Sequence, residues 1–115
     1  MSVIRRTVSV PATGNVDVNL APFDRFGGRG GRVAVAAVAQ VAAEAHDKTM
    51  TVLVGSDILC DELQLGGPTT ALAGVTTEIP RVTGFGAPAD PITVRLFNGA
   101  VGAELVDVEV VVENA

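Results

Sequence analysis

Ile92-Thr93-Val94-Arg95-Leu96-Phe97-Asn98-Gly99-Ala100-Val101-Gly102, and a few residues later Val106-Asp107-Val108-Glu109-Val110-Val111-Val112-Glu113, form the stretch whose reading decides the fold. Ile92, Val94 and Leu96 alternate with Thr93, Arg95 and Phe97, and Val106, Val108, Val110 and Val112 alternate with Asp107, Glu109, Val111 and Glu113. A period of two sends successive side chains to opposite faces, so both segments read as half-buried strands. Asn98-Gly99 and Gly102 tolerate the positive φ that a short connection needs. The pair therefore reads as a C-terminal hairpin around Asn98-Gly99.

The same period recurs upstream. Residues 2–10 alternate Val3, Thr7 or Val8, and Val10 with Arg5 and Ser9 and stop at Pro11, which predicts an edge strand, with residues 1–11 as an N-terminal edge strand or arm. Val16-Asp17-Val18-Asn19-Leu20 alternates strictly, with Val16, Val18 and Leu20 facing the core. Residues 21–31 hold four glycines and two phenylalanines and read as a long loop. Residues 33–44 mix valine with many alanines; a long strand bulged near Ala36-Ala37 is the favoured reading and a helix the alternative. Ala45-His46-Asp47-Lys48 reads as a polar turn leading to a strand with Met50, Val52 and Val54, paired as a hairpin with the segment before it. Asp57 as a cap, with Ile58, Leu59 and Leu63 near helical spacing, predicts a short helical turn over residues 57–65. Four prolines and three glycines between residues 68 and 91 leave room for short strands near residues 71–75 and 81–83. The expected fold is all-β: residues 1–115 as a single antiparallel β-sandwich domain, jelly-roll or immunoglobulin-like, with one short helix allowed.

Apolar residues make up 48% of the 115 and charged ones 18%, and tryptophan and tyrosine are absent. A chain this short has much surface for its volume, so part of this apolar surplus is expected in a subunit interface. No run approaches the roughly 20 apolar residues of a membrane-spanning helix. The first residues carry Arg5 and Arg6 without a following apolar segment, so synthesis in the cytosol and no membrane partner are expected. The net charge of −5 is unevenly laid out. Up to Arg32, five arginines face two aspartates; beyond it, three cations face eleven carboxylates. Such a polar chain is suited to docking head to tail on copies of itself or on an acidic neighbour.

Few residues offer chemistry. Cys60 is the single cysteine, which rules out an intramolecular disulfide and reads as a buried, inert thiol. His46 is the single histidine, in a polar turn, and neither Ser2, Ser9 nor Ser56 sits in a nucleophile elbow. Asp47, Asp57, Asp61 and Glu62 lack the spacing of an EF-hand loop. Gly27-Gly28-Arg29-Gly30-Gly31 lacks the Gly-Lys-Ser/Thr ending of a phosphate loop, and one Arg-Gly-Gly segment in an acidic chain neutralises little nucleic-acid phosphate. No catalytic site, cofactor, metal or nucleic-acid partner is expected. The glycine loop reads instead as a contact loop: Phe23 and Phe26 as apolar anchors, Arg25, Arg29 and Arg32 as forks for carboxylates on a neighbour, joined by Arg5 and Arg6.

The Val/Ala/Thr/Gly-rich, tyrosine-free pattern ending in Ile92-Thr93-Val94-Arg95-Leu96-Phe97 and Val106-Asp107-Val108-Glu109-Val110 resembles small virion proteins. It is similar to the decoration or cement proteins and single jelly-roll capsid proteins of tailed and tailless phages. The resemblance implies a homo-oligomer, commonly a trimer, seated on a major capsid protein in the virion. The expected role is a non-enzymatic structural protein. The alternative is a β-sandwich binding module of carbohydrate or adhesin type, which would be a monomer with a saturable ligand site.

Overall fold

A computed structural model describes residues 2–40, 48–65 and 82–114. These residues form β1 (Ser2–Val10), β2 (Gly14–Asp17), β3 (Gly31–Ala39), β4 (Lys48–Val54), β5 (Asp57–Gln64), β6 (Val82–Gly86), β7 (Ile92–Asn98) and β8 (Glu104–Asn114), with no helix among them. One four-stranded sheet has the order β1-β8-β3-β6 and the other β2-β7-β4-β5. All pairings are antiparallel.

The pairs β4–β5, β3–β6, β2–β7 and β1–β8 nest outward from the Gly55-Ser56 turn, as if the whole chain were one long hairpin. Folding that hairpin over itself puts β8 beside β3 and β7 beside β4, which completes the two sheets. This is the strand order of a jelly roll. An immunoglobulin-like sandwich would place its first two strands side by side in one sheet, whereas β1 here pairs with β8 and β2 with β7.

The core fills from alternate positions on both sheets. Ile4, Val10, Val33, Val35, Val106, Val108, Val110 and Val112 face Met50, Val52, Val54, Ile92, Val94 and Leu96. Each such side chain contributes about 1.5–3 kcal/mol when removed from water. Valine suits this space because its branched side chain packs well on a pleated surface.

Several sequence expectations change at the level of pairing. The predicted C-terminal hairpin is a crossover: β7 belongs to the second sheet and β8 to the first. The alternation was read correctly, but a period of two cannot tell a strand that turns back beside its neighbour from one that crosses to the other sheet. Asn98 fixes the crossing, because its Nδ2 donates to the Val10 carbonyl on β1 (3.1 Å) and to the Gly102 carbonyl (3.0 Å), while its Oδ1 accepts from the Ala100 amide (2.9 Å).

For the same reason β3 and β4 do not form a hairpin; they lie in different sheets, and β4 pairs with β5 and β7. The expected helical turn over residues 57–65 is strand β5. Register shifts against β4 and a positive φ of 53° at Glu62 break its alternation, which imitates helical spacing in the sequence. β3 is a strand, as favoured, but needs no bulge: its register against β8 runs unbroken from Gly31 to Ala39, with Ala36 and Ala37 buried on opposite faces. On β1 the inward residues are Ile4, Val8 and Val10, while Val3 is exposed. Val18 and Leu20 are buried as expected, although β2 itself ends at Asp17.

Candidate functional site

Contact surfaces begin at the edge of the first sheet. β1 pairs on one side with β8 over nine consecutive residues without a bulge, and it carries Arg5 and Arg6 at its middle. Arg5 lies across β8 with Nε 3.0 Å from Glu109 Oε2, its side chain mostly in solvent. Arg6 is exposed and donates to the Arg5 carbonyl (3.1 Å). Asp107 accepts from Thr7 Oγ1 (2.7 Å) and from Gln40 Nε2 (2.9 Å). The small Ala36 and Val38 leave a shallow depression between these polar groups.

The glycine-rich loop splits the residues that sequence reasoning grouped together. Phe23 is partly exposed, and Arg25 Nη1 donates to the Ala89 carbonyl (3.3 Å) beside the isolated bridge from Arg25 to Pro91. Phe26, expected as an exposed anchor, is a core residue with 4% of its surface accessible. Its ring occupies the space a Cβ would take at Gly86, so the loop is pinned to β6 by packing. Arg29 and Arg32 line one surface with Phe85, which faces Arg32 across the β3–β6 ladder and is 76% exposed. Arg32 also bonds Glu113. Arg5 and Arg6 sit on β1 at the far edge of the same sheet, so the seven predicted residues do not form one site. Phe85 was missed because Gly84 and Gly86 made its segment look like loop, yet it holds the outward position of a two-residue period.

The other side of the sandwich is acidic. β5 is the edge of the second sheet and exposes Asp57, Asp61 and Glu62. β1 lies over β2 and β7, and β6 over β4 and β5, so the β1 and β5 edges are on opposite sides. Cys60, half-buried on β5, has its thiol pKa raised by burial and further by the negative Asp61, with the Val52 backbone acting in the opposite direction. Since the thiolate is the reactive form, alkylation by iodoacetamide at pH 8 is expected to run slower in the folded chain than in urea. Equal rates would show an accessible, ordinary thiol.

Three polar side chains close one end between the sheets, two of them expected in turns and the third, Glu104, without a reading in the sequence. Lys48, expected in a polar turn, is the first residue of β4 and fully buried; Asn98, directly opposite on β7, is buried too. Glu104, the first residue of β8, brings Oε2 to 2.7 Å from Lys48 Nζ. The signal was present: each stands one step beyond an apolar row, Lys48 before Met50, Asn98 after Leu96, and Glu104 before Val106.

His46, Asp47 and the strand expected near residues 71–75 lie outside the described residues, as does the start of the one expected near residues 81–83; the rest of that segment opens β6. Among the described residues no three His, Cys, Asp or Glu side chains come together as a metal site would require, and no helix is long and apolar enough to cross a membrane. No family model matches the chain, and no curated protein matches it.

Proposed function

We propose that this chain is a non-enzymatic structural protein of a virion, a capsid decoration, cement or minor capsid subunit that assembles as a homo-oligomer on a capsid lattice. The observation that carries the reading is the placement of opposite charge on opposite edges of a jelly roll: Arg5 and Arg6 on β1, and Asp57, Asp61 and Glu62 on β5. An edge that meets its complement on the next copy makes a head-to-tail contact, and a rotation that closes gives a ring such as a trimer. The jelly roll is an architecture of viral capsid domains, which supports the virion assignment; it is also one of lectin domains and cupins. Exposed Phe85, Val3 and Leu105 on the first sheet offer apolar surface for the lattice beneath.

Sedimentation analysis at low salt is expected to find a trimer that loosens as salt screens the edges. Reversing Arg5 and Arg6 to glutamate brings like charges together at a cost of several kcal/mol and should yield monomers. Adding Asp61→Arg and Glu62→Arg to the same chain restores opposite edges and should restore the trimer. A monomer under every condition overturns the reading. It would favour a binding module instead, for which the depression between Arg5, Thr7, Asp107 and Glu109 is the place to look for a saturable ligand.

A further inference from the structure

We propose that Lys48 and Asn98 join covalently, through an intramolecular amide bond that the folded chain forms by itself with Glu104 as its acid and base. Nothing in the self-assembly reading requires this step. Lys48 and Asn98 are direct partners in the β4–β7 ladder, with both side chains inside the sandwich. That register puts their Cβ atoms about 4.5–5.5 Å apart, within the span of a lysine side chain. Glu104 reaches in from the opposite sheet, its Oε2 2.7 Å from the lysine nitrogen. An amine, a carboxamide and a carboxylate are thus held together at one closed end.

Each group is placed for its part. A lysine is a nucleophile only as the neutral amine, so the reaction needs a neighbouring group that takes its proton. Glu104 Oε2 is positioned to take its proton. The amide carbon of Asn98 is the electrophile, and its Oδ1 already accepts a hydrogen bond of 2.9 Å from the Ala100 backbone amide. That fixed donor points at the atom on which negative charge grows as the carbonyl is attacked. Nδ2 is oriented by the Val10 and Gly102 carbonyls.

Lys48 Nζ attacks the Asn98 side-chain carbon, and a carbon–nitrogen bond forms. The Asn98 carbon–Nδ2 bond then breaks, and Nδ2 departs as ammonia with the proton Glu104 delivers. The ammonium and carboxylate at the start become a neutral amide, a carboxylate and released ammonium, with no oxidant or reductant required. The buried site holds the reactants in place and keeps water from competing for the carbonyl. The product ties β4 to β7 and leaves no charged lysine in the interior.

Intact mass spectrometry of the full chain in denaturant tests the proposal without any variant. The mass is expected to be one ammonia below that of the sequence, and a protease digest should contain one species joining the Lys48 and Asn98 peptides. Asn98-Gly99 can also lose ammonia by closing on its own backbone, so Lys48→Arg separates the two routes. The crosslink predicts that this variant keeps its full mass, and Glu104→Gln should likewise keep it or lose ammonia far more slowly. A parent chain of full mass with no joined peptide overturns the proposal, as does a deficit that persists unchanged in Lys48→Arg.

Discussion

Glu104→Leu is expected to lower the unfolding free energy by about 3–5 kcal/mol, the usual consequence of leaving a buried charge without its partner. Lys48 is fully buried and Glu104 nearly so, and their charged atoms are 2.7 Å apart. Removing the carboxylate leaves the buried lysine without its counter-charge, and the end of the sandwich must open to let water reach it. Urea unfolding reads the loss as a fall in midpoint. Combining it with Lys48→Met replaces both charges by apolar chains of similar volume, an exchange that is often neutral or stabilising for a buried pair. The double variant should therefore recover the electrostatic part. A remaining shortfall against the parent is expected only where the parent carries the Lys48–Asn98 bond, which both variants lack. A cost below about 1 kcal/mol for Glu104→Leu alone would be that of a solvated pair and would contradict the burial.

Phe26→Ala is expected to cost about 3–5 kcal/mol, as large-to-small changes at buried aromatics do. The loss comes from emptied space, because the ring fills the position left open by Gly86 and lies against the buried face near Val54. Gly86→Ala in the parent chain should cost about 1–3 kcal/mol, since the new methyl would overlap the Phe26 ring and stand 2.8 Å from Val54 Cγ1. In the Phe26→Ala background the ring is gone and only Val54 Cγ1 still crowds the new methyl, so its penalty should shrink. Contacting residues show coupling of about 0.5–3 kcal/mol in such cycles. Additive costs would mean that Phe26 and Gly86 do not share this space. If Phe26 were instead an exposed contact residue, its truncation would weaken assembly and leave stability nearly unchanged.

The candidate surfaces were legible in part. Arg5 and Arg6 were read as exposed cations on an edge strand, and that is their position on β1. Phe23 and Phe26 share a loop and a residue type, yet one is partly exposed and the other is core, a difference made by a glycine sixty residues away in the chain. Lys48 reads in the sequence as part of a polar turn and Glu104 draws no reading there, because charged residues are rarely buried without a partner. Their pairing joins the start of β4 to the start of β8, a separation no local pattern can report.

Local alternation by itself determined that this is an all-β chain, where β2, β7 and β8 run, and which of their residues face inward, because side-chain direction in a strand is a local property with a period of two. Tertiary structure decided which strands meet. The segment around Asn98-Gly99 turned from an expected hairpin into a crossover, residues 57–65 turned from helix into edge strand, and buried Lys48 met Glu104 across the sheets beside buried Asn98. Hydrogen bonding along a strand edge is nearly blind to sequence. The choice of partner therefore falls to the burial of whole faces and to a few polar anchors such as Asn98, which act only once distant parts of the chain have come together.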